Sequence, residues 1–189
     1  MLRPSNINYI TLDKSRLDDL KRFSDRWIGK NYFTIEQLEK VLELSFIDER
    51  SASLLAYDKS DLVGIRITLI NPSWQNDFKI GLSFDKWNLE PKKVAYFKSL
   101  FIASSFQKMG LGKSLSLSSI KKLKEMGFEG VVCHSWLESP GNGSQIYLEK
   151  MGFTKIFNHK NLWYNIDYEC IRCRPKRCKC TAIEMIKYI

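Results

Sequence analysis

The chain lacks a long apolar segment. No run among its 189 residues approaches the roughly 18 apolar residues that a membrane-spanning helix needs. Its first ten residues, MLRPSNINYI, contain neither a continuous apolar stretch nor a small-residue cleavage site, which argues against a secretory signal. With 44% hydrophobic and 27% charged residues, the composition is that of an ordinary globular protein. We therefore expect a cytoplasmic protein built as one domain, with no membrane partner.

The chain has fewer acidic than basic residues. It contains 21 Asp and Glu residues and 30 Lys and Arg residues, so its formal net charge is +9. Such a charge attracts phosphorylated ligands and nucleic acid alike. A basic face that is only solvated would carry the same charge. Composition alone therefore does not choose between an anionic partner and none.

Hydrophobic patterns predict an α/β chain. The predicted order is one strand, two helices, two strands, a long excursion over residues 71–92, and then strand, helix, strand, helix and two strands. Thr34 and Gln37 have the spacing of a capping box at the start of the second helix. This order fits a mixed sheet with helices on both faces. The predicted strands include residues 7–12, 51–57, 62–70, 94–103, 130–136, 164–168 and 181–188.

The run Gln107–Ser114 lies between a predicted buried strand and a predicted amphipathic helix. Unpaired backbone N–H groups and the positive end of the helix dipole meet at such a point, which favours phosphate. The spacing is neither that of a Walker A loop nor that of a dinucleotide fingerprint. A helix start that simply requires small residues is the alternative. The apolar positions of the predicted helix are Leu115, Leu117, Ile120 and Leu123, and Gly127 ends it.

The loop belongs to a wider pattern with the spacing Leu100-x-Ile102, Ser104, Gln107-x-x-Gly110-x-Gly112 and Leu115. This pattern resembles the acetyl-CoA-binding motif of the GNAT superfamily of N-acetyltransferases. Residues 94–153 carry the resemblance, and Glu149–Phe153 (EKMGF) is similar to the sequence that ends the last helix of these enzymes. Two positions depart mildly from the family: Ile102 stands for Val, and Ser104 stands for the common Pro.

The resemblance implies a GNAT-like fold, a mixed and mostly antiparallel central sheet that splays near its middle and holds acetyl-CoA in the split. It also implies direct transfer of the acetyl group to a primary amine in a ternary complex. The backbone around Phe101 and Ile102 would hold the acetyl group and the pantetheine. The pyrophosphate would lie on the loop formed by Gln107, Lys108, Met109, Gly110, Leu111, Gly112, Lys113 and Ser114.

The catalytic acid and base are less defined. The family's tyrosine, the proton donor to the leaving thiolate, falls on Leu148 here, and Tyr147 is one residue earlier, about 100° around the helix. Tyr147 is the candidate acid, with a packing tyrosine as the alternative. His134 is the candidate base, because imidazole titrates near neutral pH. The alternatives are Cys133, Ser135, Glu138, a water-relayed deprotonation and a purely structural His134.

Four cysteines fall within eleven residues near the C-terminus, in a C-x2-C-x4-C-x-C pattern. Thiols this dense in a cytosolic protein favour metal binding over disulfides. We expect residues 170–189 to form a cysteine-rich hairpin that extends the acetyltransferase domain of residues 1–169. The predicted ligands of a structural Zn²⁺ at the hairpin tip are Cys170, Cys173, Cys178 and Cys180, with free thiols or redox-labile pairs as the alternative.

The expected partners are acetyl-CoA and a small-molecule or peptide amine. Two other functions stay open: a CoA-binding sensor or scaffold without transferase activity, and a basic nucleic-acid module, against which the lack of aromatics among the basic residues argues. The sequence leaves the oligomeric state open, a homodimer included. The N-terminal helices and the excursion would build the acceptor site, where Trp27, Tyr32, Trp74 and Trp87 either line a pocket or pack in the core.

Overall fold

The computed structural model describes residues 7–30, 32–77, 81–166, 170 and 172–189. All strands and helices of this part except the last strand lie between residues 7 and 159, and a long connection over residues 160–181 then leads to that strand. In chain order they are β1 (Ile7–Thr11), α1 (Leu17–Trp27), α2 (Ile35–Leu44), β2 (Phe46–Ile47), β3 (Arg50–Ser51), β4 (Leu54–Asp58), β5 (Asp61–Leu69), α3 (Trp74–Asp77), β6 (Val94–Ile102), α4 (Leu111–Glu125), β7 (Gly130–Trp136), α5 (Gly143–Lys150), β8 (Thr154–His159) and β9 (Ala182–Tyr188).

A seven-stranded sheet forms the centre, with strand order β1-β4-β5-β6-β7-β9-β8. The pair β6–β7 is parallel, and the other neighbours are antiparallel. The mixed, mostly antiparallel sheet expected from the sequence is therefore confirmed. β9 is the last strand in the chain, yet it lies between β7 and β8 and is buried along most of its length. Among the described residues, no helix has the length and apolarity that crossing a bilayer requires.

Successive residues of β5 point to opposite faces of the sheet. One of these faces lies against α4 and carries Gly64, Arg66 and Thr68. A Cβ on Gly64 would touch Leu111 and Leu115 of α4, and the side chains of Arg66 and Thr68 form hydrogen bonds to serines of that helix. The apolar residues between them pack in the same cluster as residues of α1 and α2. Because successive side chains of a strand point to opposite faces, β5 presents small and polar residues to α4 and apolar residues to the N-terminal helices α1 and α2.

Helix ends follow the predicted signals. Thr34 accepts from the Gln37 amide at 3.2 Å, and the Gln37 side chain accepts from the Thr34 amide at 3.0 Å, so the capping box is confirmed. Gly127 follows α4 in the left-handed conformation (φ 80°), which favours glycine. One position of α4 was predicted wrongly: Leu117 is 48% exposed. Small serines take its place on the buried side and let α4 approach β5 closely.

The excursion over residues 71–92 is largely anchored in the core. Trp74 and Trp87 are both fully buried, and their rings stack at 6.2 Å. Trp74 also stacks on Tyr96 of β6 at 5.1 Å. These two tryptophans therefore pack and do not line an accessible pocket, which decides between the two alternatives. Tyr32, in contrast, is 41% exposed.

The hairpin that ends the chain differs from the predicted one. Its strands are β8 and β9, and the cysteines lie in the connection between them. The strand predicted over residues 164–168 is wrong for residues 164–166, which form turns, and Tyr168 lies outside the described residues. Tyr164 and Ile166 are exposed, so the β-favouring composition of this segment has no sheet face to bury.

Candidate functional site

The parallel strands β6 and β7 diverge after three paired residues. They are paired from Val94–Gly130 to Tyr96–Val132. Beyond this point β6 continues to Ile102 along β5, and β7 continues to Trp136 along β9. Within the described residues, one edge of each strand is consequently left without a strand partner, and the two strands splay into a V-shaped opening. An extended ligand with amide groups can bind to such an edge as an added strand would.

The glycine loop stands at the far end of β6, where α4 begins. Gly110 is the N-cap in the left-handed conformation (φ 83°), and Lys108 also has a positive φ of 62°. No side chain caps the helix, and the first amide of the helical ladder to find a partner is that of Ser114, which donates to the Gly110 carbonyl at 3.0 Å. The amides of Leu111, Gly112 and Lys113 therefore point outward, toward any anion that binds there.

The other predicted cofactor residues surround this helix start. Gln107 donates from Nε2 to the Ile102 carbonyl at 3.0 Å, which ties the loop to the end of β6. A Cβ on Gly112 would lie 3.3 Å from Leu100 Cδ2, so glycine permits the close packing of α4 on β6. Met109 is 49% exposed, and Lys108 and Lys113 are also exposed. The predicted binding residues are thus brought together along one side of the opening.

His134 lies next to the point where the strands diverge. Its Nε2 is 2.6 Å from the Gly81 carbonyl and its Nδ1 is 3.0 Å from the Tyr96 hydroxyl. Because a carbonyl only accepts, Nε2 carries the proton, and Nδ1 accepts from Tyr96. Burial lowers the pKa of His134, although the Gly81 bond and the charge of Glu184 partly oppose this effect. The side chain is therefore a neutral imidazole whose lone pair faces a tyrosine.

A buried carboxylate, Glu184 of β9, stands directly across the ladder from His134. It is 0% exposed and accepts from the Ser83 amide at 3.1 Å, Trp87 Nε1 at 2.8 Å and His159 Nε2 at 2.9 Å. Burial raises the pKa of Glu184, but these hydrogen bonds outweigh it and the pKa is lowered overall. A fixed negative charge is therefore held beside the imidazole.

Tyr147 is engaged within the protein. Its hydroxyl donates to the Gly112 carbonyl at 3.0 Å and lies 2.7 Å from Ser116 Oγ. Arg66, 3% exposed, donates to the same serine at 2.8 Å. Burial lowers the pKa of Arg66, and Tyr147 opposes that shift. This chain of hydrogen bonds joins α5 to α4 and supports the packing alternative for Tyr147.

We expect Tyr147→Phe to keep kcat within about threefold and to lower the stability by about 2 kcal/mol, because the ring is retained but the hydroxyl loses its hydrogen bonds to Gly112 and Ser116. Thermal unfolding and steady-state kinetics measure both effects. Tyr188→Phe is the matched control, since Tyr188 donates to the Trp87 carbonyl at 3.0 Å away from the glycine loop. A fall in kcat of about 100-fold for Tyr147→Phe alone would instead establish Tyr147 as the acid.

The alternative bases are differently placed. Cys133 is buried, and burial raises the pKa of its thiol to about 12. Ser135 is 1% exposed. The Glu138 carboxylate accepts from the Thr181 amide at 3.0 Å, so it fixes the chain just before β9. None of these three side chains shares the contact that His134 makes with Tyr96.

The mouth of the opening carries aromatic and basic side chains. Tyr32 meets Phe101 edge-on at 6.0 Å, and Lys98 Nζ lies 5.9 Å from the Phe33 ring. Burial lowers the pKa of Lys98 to about 8. An open depression of about 620 Å³ is bordered by Gly81, whose carbonyl contacts His134 Nε2, by His159 and by the start of the β8–β9 connection.

Sequence patterns missed three residues of this site: Tyr96, His159 and Glu184. In the sequence, Tyr96 does not differ from the other aromatic residues of a predicted buried strand. Glu184, in contrast, interrupts the apolar pattern of the last predicted strand. The interruption is a usable signal, since a carboxylate inside a buried strand requires partners.

The chain is similar to known proteins in its sequence pattern and in its fold. The sequence profile of the acetyltransferase (GNAT) family matches residues 17–153. No curated protein matches the chain by sequence.

Solved structures with the same fold include Arabidopsis thaliana NAA60 in complex with acetyl-CoA, with 16% identity, a TM-score of 0.68, and 97% of this chain and 100% of that chain covered. The ribosomal-protein-S18-alanine N-acetyltransferase of Escherichia coli has 14% identity and a TM-score of 0.66, and the match covers 97% of this chain and 94% of that chain. Arabidopsis thaliana Naa50, in complex with the bisubstrate analogue CoA-Ac-MVNAL, has 13% identity and a TM-score of 0.65, and the match covers 97% of this chain and 99% of that chain.

Proposed function

Because the chain belongs to the acetyltransferase (GNAT) family, we propose that it transfers the acetyl group of acetyl-CoA to a primary amine by direct attack of the amine on the thioester. The observation that carries this proposal is the divergence of β6 and β7 beside the uncapped start of α4. The opening offers unpaired strand edges for the pantetheine amides, and the helix start offers amides for the pyrophosphate. The surplus of basic residues assists capture of the polyanionic cofactor.

The amine must lose a proton before or during attack, and Tyr96 with His134 supplies a path for it. The Tyr96 hydroxyl donates to His134 Nδ1, so its oxygen can accept a proton from the amine while its own proton passes to the imidazole. The imidazole then carries protons on both nitrogens, and Nε2 keeps its bond to Gly81. The product is an amide, free CoA and a protonated His134, which returns its proton to solvent or to the leaving thiolate.

Glu184 supports this step through its charge. The imidazolium that forms is positive, and a neighbouring buried carboxylate lowers its free energy. His159 holds the carboxylate from its other side at 2.9 Å. Glu184 is thus a positioning residue that acts through His134.

Glu184→Gln should shift the acid limb of the kcat/KM profile to lower pH. The neutral amide keeps the shape of the side chain but removes the negative charge that raises the pKa of His134, so the imidazole deprotonates at a lower pH. The pH dependence of kcat/KM measures this shift, with Glu138→Gln as the control because that carboxylate binds Thr181 instead. An unmoved limb in Glu184→Gln would contradict the assigned role.

The acceptor is proposed to be the amine of a peptide or protein, with small-molecule amines as the second class. One structural neighbour is named for acetylating an alanine of a ribosomal protein, and another is bound to the bisubstrate analogue CoA-Ac-MVNAL. We place the reaction in the cytoplasm, where cysteines that are not joined by disulfides remain reduced.

The test is incubation with acetyl-CoA and three acceptor sets: peptides with varied N-terminal residues, peptides with an internal lysine and a blocked N-terminus, and small amines. Release of CoA thiol reports turnover, and mass spectrometry of the product locates the acetyl group. Release above the acceptor-free blank with any set supports the proposal. Acetyl-CoA binding without turnover on all three sets would favour the alternative, a CoA-binding scaffold.

A further inference from the structure

The four C-terminal cysteines meet at one point of the long β8–β9 connection. Cys170, Cys178 and Cys180 are at most 4% exposed, and Cys173 is half-buried. They pack against Trp136, at the end of β7, and Trp163. The connection spans residues 160–181, and its described residues contain turns but no helix or strand. A connection of this length needs a source of order other than secondary structure.

The spacing of the sulfur atoms fits a single metal ion. Sγ of Cys180 lies 3.6 Å from that of Cys173 and 3.9 Å from that of Cys170, and all four lie within 4.8 Å of one another. Four thiolates at the Zn–S distance of about 2.3 Å in a tetrahedron are about 3.8 Å apart. No disulfide joins the cysteines, all of which the structure describes. An iron–sulfur cluster would hold the sulfurs farther apart, because its inorganic core lies between them.

The chain around the sulfurs is folded as a ligand loop. The amides of Cys173 and Arg174 both donate to the Cys170 carbonyl, at 3.2 and 2.9 Å, which closes a turn between the first two cysteines. The Lys179 amide approaches Cys173 Sγ at 3.4 Å, a contact that stabilises thiolate over thiol. Exposed basic side chains surround the cluster and offset the negative charge of four thiolates on one divalent ion; they are Arg172, Arg174, Lys176, Arg177 and Lys179.

We propose that Cys170, Cys173, Cys178 and Cys180 bind one structural Zn²⁺. Four thiolates leave no coordination position open, so the metal orders the chain and takes no part in acetyl transfer. It fixes residue 180 just before β9, the strand that carries Glu184. By ordering the β8–β9 connection, the ion therefore helps to hold the Glu184 carboxylate in its position beside His134.

The test is metal analysis of the full chain, expressed without added zinc and dialysed against a weak chelator. We expect about one equivalent of zinc per chain and a fall in melting temperature of about 10 °C when a strong chelator removes it. Cobalt added to the metal-free protein should give the intense visible bands of tetrahedral thiolate coordination. Cys133→Ala is the control, since that thiol lies on β7 outside the cluster.

Cys178→Ser should lose the zinc, and Cys133→Ala should retain it. If the serine variant does not fold, the cobalt spectrum and chelator titration of the wild-type protein decide. A zinc content far below one equivalent in wild-type protein, zinc retained by Cys178→Ser, or a brown iron-containing protein would each overturn the proposal. All of these readouts are independent of acetyl transfer, so failure of the proposed activity leaves them unchanged.

Discussion

His134→Gln is expected to lower kcat/KM by about 10²- to 10⁴-fold, the range in which a positioned general base contributes. The amide can still donate to the Gly81 carbonyl, but it takes no proton from Tyr96. Steady-state kinetics with saturating acetyl-CoA measure the loss. The KM for acetyl-CoA should stay within about threefold of the wild-type value, because the imidazole acts on the amine and not on the cofactor.

The same variant should lose the acid limb of the pH profile. The base works when neutral, so activity rises as pH rises through the pKa of His134, and burial sets that pKa below the usual value of about 6.5. Of the two histidines in the chain, the other is His159, whose ring lies 5.7 Å from that of His134. His159→Gln is the matched control and should retain an acid limb. If His159→Gln removed the limb and His134→Gln kept it, the base would be misassigned.

Tyr96→Phe separates the relay from direct deprotonation. The ring keeps its stacking on Trp74 while the hydroxyl that contacts His134 is removed. A relay through Tyr96 predicts a kcat/KM loss comparable to that of His134→Gln, and the double variant should lose little more than either single one, because the two groups act as a unit. Additive losses would mean that the two side chains act separately.

Gly110→Asp is expected to raise the KM for acetyl-CoA by about 10- to 100-fold. A carboxylate at the N-cap can accept from the amides that the pyrophosphate would use, and it repels the phosphate charges at a distance of a few ångströms. A Cβ at this position has no atom within 4 Å, so the change creates no clash. Isothermal titration of CoA gives the affinity directly, and initial rates give KM.

The chain offers a close control for this substitution. The φ angle of Gly127 is nearly the same as that of Gly110 (80° against 83°), and a Cβ there also has no atom within 4 Å. Gly127→Asp therefore introduces the same charge and the same backbone strain at the opposite end of α4. It should leave the affinity for CoA within about twofold, and equal losses in both variants would point to strain or net charge in place of a blocked anion site.

The glycine loop was found from sequence because everything that defines it lies within a few residues. Helix start, left-handed Gly110 and outward amides are set by local backbone geometry, and the motif spacing follows from it. The capping box and the strand of His134 were found for the same reason, whereas the mixed, mostly antiparallel sheet was implied by the family resemblance. The burial of Leu117 and the strand expected over residues 164–166 were predicted wrongly, because composition does not show which face of a segment packs against another element.

The side chains around His134 could not be predicted, because they depend on pairing between distant segments. Tyr96 and His134 are 38 residues apart, and Glu184 reaches them only because β9 inserts beside β7. Periodicity gives the face of a strand but neither its neighbour nor its register, and a slip of one residue would turn Glu184 away from His134. The sequence alone therefore determined the uncapped helix start at Gly110 and the family. The tertiary structure decided which side chains stand around the imidazole, because long-range strand pairing brings them together.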